Sequence, residues 1–332
     1  METIRETVRE PAWFITWSGR EASTALGPYL ESLTYTDAAH GESDELTLTL
    51  EDAEGGFMNE WYVTKGDVIS ARIGYVGEAT VDCGLFEVEE VGFDGPPSIV
   101  NIRALAAGVS KTLRTERSKA YEGKTLRQIA QEIAGRHGFT VVGDVADVEL
   151  KRATQNQEKD LSFLKRLAEQ HGHLFSVKGD QLVFARSGSL TSRAPSCVFN
   201  EKTQVTWSFR DKGVQTYKSA HVAYHDPATK RVNEHTQRED APDGVADTLK
   251  LTKRAESKAH AALMSKSALD AANDSRFEGT LTMEGDPLAM SGNTVAVAGF
   301  GKLDGTWFID KSTHTITRGG GYSTSLEVKR GA

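Results

Sequence analysis

Thr154-Gln-Asn-Gln-Glu-Lys-Asp-Leu-Ser-Phe-Leu-Lys-Arg-Leu-Ala-Glu-Gln-His-Gly172 carries the clearest helical pattern in the chain. Leu161, Leu164 and Ala168 fall on one stripe, widened by Phe163 and Leu167, with charge on the opposite side. The spacing predicts a helix over Thr154 to Gly172. Gly172 after His171 supplies a left-handed stop, and a histidine near the last carbonyls suits the helix dipole when protonated. A second helix is predicted upstream. Thr125 and Gln128 have capping-box spacing, and Leu126, Ile129, Ala130, Ile133 and Ala134 recur at helical intervals before His137-Gly138.

Outward from these helices the pattern changes period. On the N-terminal side Leu46, Leu48 and Leu50 alternate with Thr47 and Thr49. Phe86 and Val88 alternate with Glu87 and Glu89, and Val100, Ile102 and Ala104 with Asn101 and Arg103. Turn signals at His40-Gly41, Glu54-Gly55-Gly56, Lys65-Gly66-Asp67 and Asp94-Gly95-Pro96-Pro97 separate the strands, as in a sandwich or small barrel. After the helices comes a hairpin, Leu174 to Val177 and Leu182 to Phe184, then a Ser-rich linker from Ser187 to Pro195. From Cys197 the alternation returns, with Val205, Trp207 and Phe209 and then a polar loop from Asp226 to Gly244. An Ala-rich helix is predicted at about 255–272, and strands around Leu281, Val295, Trp307, Ile316 and Val328 close the chain. The expected fold is α+β and mainly β: a first block over 1–105, an α/β insert over 106–190, and a second block over 191–332 carrying one helical insertion. No residue-level repeat links the blocks, although a diverged duplicated barrel has this layout.

Two cysteines, Cys83 and Cys197, make no disulfide framework and read as small buried residues of a cytoplasmically made protein. No apolar run reaches membrane-spanning length, and the charged segment Met1 to Glu10 is not a signal peptide. A formal charge of −8 argues against general nucleic-acid binding. Between Glu21 and Thr64 there is no Lys or Arg, while Asp37, Glu42, Asp44, Glu45, Glu51, Asp52 and Glu54 all fall there. The plain reading is a solvated acidic face; the sharper one is a surface that repels a polyanion or meets a basic partner. Arg103, Lys111, Arg114, Arg117, Lys119, Lys124 and Arg127 reverse the sign, with only Tyr121 as an interleaved aromatic, so a protein-facing or solvated patch is expected.

The sequence offers no catalytic constellation. His171-x-His173 lacks a third ligand at a supporting spacing and reads as two surface histidines. Glu89-Glu90 and Glu51-Asp52 are adjacent pairs, which on strands point to opposite faces. Gly299-Phe-Gly301 and Gly319-Gly-Gly321 lack the strand-to-helix context of a phosphate loop and read as hairpin turns. No enzyme, cofactor or metal is expected. Trp61, Leu126, Leu164, Trp207 and Trp307 are the expected core anchors, since large aromatics and stripe positions dominate burial.

Two resemblances add to this. Tyr121-Glu-Gly-Lys-Thr-Leu-Arg-Gln-Ile-Ala130 is similar to the opening of a LysM module and implies, as the alternative function, a peptidoglycan-binding tail protein with the module at 121–138. A longer resemblance covers nearly the whole chain. Leu30-Glu-Ser-Leu-Thr-Tyr-Thr-Asp37, Gly41-Glu-Ser-Asp-Glu-Leu46 and Leu50-Glu-Asp-Ala-Glu-Gly-Gly-Phe57 come first. Trp61, Lys65-Gly-Asp67, Ile73-Gly-Tyr75, Cys83-Gly-Leu-Phe-Glu-Val88 and Gly95-Pro-Pro97 follow. Gln155 to Gly172 is next, with Lys159 where Ser or Thr is usual, so that the helix cap falls to Asp160 or earlier. Gly285-Asp-Pro-Leu288, Ser291-Gly-Asn293, Gly305-Thr-Trp-Phe-Ile309 and His314 complete the series. In this order the chain resembles the phage late control D family.

That resemblance implies a baseplate hub of a contractile phage tail or phage-derived injection device, similar to the N-terminal part of type VI secretion spike proteins. It implies two tube-like β-barrels per chain and a homotrimer with a central channel, joining the hexameric tail tube to a trimeric central spike. Tape measure and baseplate wedge proteins are the further expected partners, in a virion baseplate assembled in the host cytoplasm; membrane insertion and specific nucleic-acid binding are not expected. The sequence stops at Ala332, soon after the last predicted strand, so a separate spike chain is expected. The acids between Asp37 and Glu54 would then line the lumen or an interface, where a trimer triples the formal charge of −8.

Overall fold

The computed structural model describes residues 9–40, 43–107, 115–145, 147, 149–186, 194–201, 206–212, 216–226, 231–238, 247–252, 255–274 and 276–330. The chain is mostly β. In the N-terminal part, strands Pro11–Trp17, Leu30–Ala38, Glu45–Glu51, Val68–Tyr75, Val81–Asp94 and Ile99–Ala106 pair antiparallel. Their alternation sorts residues as period two requires: Leu46, Leu48 and Leu50 are fully buried with Leu33, Ile69, Phe86 and Ile102, while Thr47 and Thr49 stay half-buried on the other face. In the C-terminal part, Thr206–Asp211, Phe277–Glu284, Gly321–Arg330 and Gly305–Thr317 form the corresponding run. Its own core gathers around Trp307, Phe199, Leu281 and Leu326.

The two parts are one sheet. Lys311–Thr317 pairs antiparallel with Ser32–Ala38, joining 13 described strands. Two apolar cores therefore share a single hydrogen-bonded layer. Where they meet, Tyr75 and Tyr322 lie 5.4 Å apart by ring centroids. The Tyr75 hydroxyl donates to the Gly285 carbonyl at 2.9 Å. A Cβ at Gly285 would sit 2.1 Å from Tyr322 Cγ, so only glycine lets the ring lie against the backbone there.

The insert has a separate core. Strands Glu116–Thr125 and Glu149–Lys159 pair antiparallel, and a three-stranded sheet orders as His173–Lys178, Gln181–Arg186, Thr140–Gly143. Helices Leu126–His137 and Asp160–Gln170 pack on them through Leu126, Ile129, Phe163, Leu164 and Leu167. Thr125 forms the full capping box with Gln128, and Gly138 closes that helix at φ 75°.

Three expectations need correcting. The second helix begins at Asp160, and Thr154–Lys159 finishes a strand with a register shift at Gln155/Glu158. Its apolar stripe begins only at Leu161, and the polar run before it pairs more favourably with the Glu116 strand than it would coil. The loop expected over 226–244 contains strand Arg231–Arg238, paired along its length with Ser219–Asp226. Strong polarity hid that strand. The Ala-rich helix runs over Lys258–Asp274, later than expected, and buries Ala261, Met264 and Leu269. The linker core at 187–193, with Ser192, and Val205, Pro227 and Pro242 lie outside the described residues.

Candidate functional site

The acids grouped by the sequence are separated by the fold. Asp37 lies at the end of Leu30–Ala38 on the same face as Leu33 and Tyr35, so strand parity turns it inward. Asp44 immediately precedes the next strand, Glu45–Glu51. Asp37 and Asp44 are each 4% exposed and converge on one cation, Lys178 of the insert. Lys178 Nζ donates to Asp37 Oδ1, to Asp44 Oδ1 at 2.7 Å and to the Ala38 carbonyl at 3.1 Å. Asp37 Oδ2 accepts from the Ser291 N–H at 2.8 Å, so the N-terminal part, the insert and the C-terminal part meet at one carboxylate. Burial pushes Asp44 up to about 7, against Lys178 and with the help of Asp37. Burial also works against the Lys178 ammonium, yet Asp37 and Asp44 hold its pKa above the ordinary lysine value. Around this cluster His40 Nδ1 accepts from the Phe175 N–H at 2.8 Å, and His40 Nε2 lies 3.0 Å from Glu169 Oε1. Ala39 and Phe308 pack with Leu174 and Ala185.

The other acids do not make an open acidic wall. Asp52 is 3% exposed and accepts from the Phe57 N–H at 3.0 Å, bracing the loop after its strand. Glu45 pairs with Arg103 at 2.6 Å, and Glu51 with Arg318 at 2.8 Å. Glu54 is exposed, and Glu42 lies outside the described residues. The expected acidic lumen is thus corrected for Asp37, Asp44 and Asp52, whose carboxyl groups are buried and hydrogen-bonded within the chain and so form no part of its surface. The basic cluster is also consumed: Lys119 and Lys124 both hold Glu132, and Arg127 donates to the Val145 carbonyl at 3.3 Å. Lys111 and Arg114 lie outside the described residues.

Sequence reasoning missed a further buried acid. Asp160 is wholly buried at the start of its helix and accepts from Gln155 Nε2 at 2.8 Å. His137 Nε2 stands 2.8 Å from its other oxygen, Oδ2, and Arg136 lies 3.5 Å from Oδ1. The ends of the two helices are thereby pinned together; the signal was an acid at the first position of a helix whose cap side chain, Lys159, cannot cap.

His171 and His173 are buried, not on the surface. His171 Nδ1 donates to the Leu167 carbonyl at 2.6 Å, and its ring stacks on His260 of the Lys258–Asp274 helix at 5.4 Å. Burial lowers His171 to about 4, and the neighbouring His260 and His173 add to that. No group of three or more potential metal ligands is found among the described residues.

Of the expected anchors, Leu126, Leu164 and Trp307 are fully buried, whereas Trp61 and Trp207 are about half exposed, at 50% and 51%. Trp207 sits on the last described strand at one end of the sheet, where nothing described flanks it on the far side. Trp61 packs edge-on to Tyr29 and Phe57 in a loop outside the sheet. An edge or a loop leaves half a large ring to solvent whatever its hydrophobicity. The LysM-like segment spends Tyr121, Leu126, Ile129 and Ala130 on the insert core.

This geometry is that of a β-rich protein whose buried charges join its parts. The family described as "Phage tail baseplate hub (GPD)" matches residues 101–320, and the chain belongs to that family. It is 27% identical to the probable baseplate hub protein of Escherichia phage 186, over 96% of this chain and 92% of that protein. In fold it is similar to the 43 kDa tail protein of prophage MuSo2 from Shewanella oneidensis (TM-score 0.72, 15% identity, 96% of this chain and 98% of that one). It is also similar to the E. coli c3393 protein, a type VI secretion component described as structurally similar to T4 tail proteins gp27 and gp5 (TM-score 0.53, 10% identity, 92% and 74% covered). At such identities the likeness is one of fold. Family membership makes the chain a component of the virion tail baseplate.

Proposed function

We propose that the hub acts as a homotrimeric, non-enzymatic adaptor between a hexameric tail tube and a trimeric central spike, around a central channel. Each chain contributes two tube-like β-barrels, over 1–105 and 191–332, with the α/β insert over 106–190 between them. Three chains then place six similar blocks in a ring. The observation that carries this reading is the pairing of Ser32–Ala38 with Lys311–Thr317, which makes two separately cored blocks one continuous plate. Blocks on a flexible linker would not hold the fixed spacing that a three-to-six match demands. The spike, tube, tape measure and wedge proteins are the partners under this reading, and the acids left exposed face partner chains or solvent.

Light scattering is expected to give three times the 36.2 kDa of one chain, and end-on images to show six lobes around an open centre. A chain that stays monomeric even when co-expressed with its spike would overturn the proposal.

A further inference from the structure

One face of the shared sheet is covered by the two cores. Over the strands Glu45–Glu51, Leu30–Ala38, Gly305–Thr317, Gly321–Arg330 and Phe277–Glu284, the other face carries two rows of hydroxyls. Thr36, Thr313, Ser325 and Thr282 stand side by side on four adjacent strands, and the next row runs Thr47, Thr34, Thr315, Ser323. Both rows cross the pairing between the two blocks without interruption. Charge lies at the ends of the two rows: Glu45 opposite Thr36 and Arg103 opposite Thr47 pair with each other, and Glu284 lies opposite Ser323. Beyond Lys311 and Glu327 the face becomes charged again.

This composition excludes two ordinary roles. A subunit interface needs an apolar centre, and these rows have none. A surface turned to bulk solvent normally carries interspersed Lys and Glu, and these rows have none of those either. The insert does not cover them: Lys178 reaches Asp37, which points to the opposite face, and Leu174 and Ala185 meet Ala39 beyond the strand end. A layer with neither apolar nor cationic footing, hydrated through its hydroxyls, is suited to contact a polymer that must move past without adhering.

We propose that this hydroxyl-bearing face forms the wall of the central channel, so that the lumen is lined by Ser and Thr side chains and not by acids. The inference rests on the trimeric reading above. A hydrated polyanion crossing such a wall meets no unpaired cation on the two rows, and the hydroxyls offer its phosphates only neutral hydrogen bonds, in competition with water.

The test uses the full chain. Cys83 and Cys197 are both buried, so Ser323→Cys and, separately, Thr47→Cys each add one accessible thiol, on the C-terminal and N-terminal parts of the face. Each variant is labelled with a maleimide gold cluster and its rings are imaged end-on. Gold at both positions is expected inside the central opening. Rings carrying gold on their outer rim would overturn the channel-wall assignment while leaving the trimer intact. A chain that forms no rings with or without label would overturn the trimeric reading and this inference with it.

Discussion

Replacing Lys178 with Met removes the charge that ties the insert to the sheet while keeping most of the side chain's volume. Asp37 and Asp44 would then face each other with only the Ser291 and Ala38 N–H groups as donors, at 2.8 Å and 3.3 Å. Removing one partner of a buried ion pair costs about 3–5 kcal/mol. The Lys178 side chain keeps 31% of its exposure, so returning water offsets part of that, and about 3 kcal/mol is expected at pH 8. The cost has a defined pH dependence. Asp44 in the fold is raised from 3.8 to about 7, first by burial. A carboxyl whose folded pKa is raised holds its proton more tightly folded than unfolded. Its favourable contribution is full below pH 4 and is lost as pH rises through 7. Without the lysine Asp44 takes up its proton more readily, so at pH 5 its charge is largely discharged and the loss falls to about 1 kcal/mol. Urea melts at the two pH values measure the difference, and hydrogen exchange over Phe175–Lys178 localises it. Adding Asp44→Asn to Lys178→Met is expected to recover most of the stability lost at pH 8. Equal losses at both pH values, or a double variant no better than the single one, would refute the argument.

Asp160→Ala leaves His137, Arg136 and Gln155 facing an empty buried site and is expected to cost about 3–5 kcal/mol, read by urea melts; Asp160→Asn, which keeps an acceptor, should cost less. His171 titrates in the opposite direction from Asp44. Its folded pKa is lowered to about 4 from 6.5, so the neutral stack contributes stability above pH 6.5 that is lost as pH falls toward 4. His260, His173, Glu256 and the Leu167 carbonyl face this ring. Amide exchange in Asp160–Gln170 and Lys258–Asp274 should therefore quicken on acidification, and a His171→Leu variant should lose part of that dependence, since burial also holds His173 and His260 below the ordinary histidine value. Trp307→Ala removes a fully buried ring and should cost about 3–5 kcal/mol. Trp207→Ala, half exposed at the sheet edge, should cost less than half as much in the same melts.

What could be read in the sequence was local or periodic. The Thr125–Gln128 spacing encodes two reciprocal hydrogen bonds within four residues, and both are present. The Leu46–Leu48–Leu50 alternation needs nothing beyond its own strand. Pairing between Ser32–Ala38 and Lys311–Thr317 joins opposite ends of the chain, and both segments place hydroxyls on one face, so no local signal distinguishes their true partner from any other Thr-rich strand. The acids are the instructive failure. Counted along the chain, Asp37 to Glu54 form one negative block. Sorted by strand parity they do not, because Asp37 shares the face of Leu33 and Tyr35 and was legible as an inward residue before any contact was known. Two carboxyl groups buried as close together as Asp37 and Asp44 favour a cation between them, and the lysine-free run from Glu21 to Thr64 means that it comes from elsewhere in the fold. The acidity of this segment is therefore, in part, the reason that the insert is bound to it: the missing positive charge is supplied by Lys178.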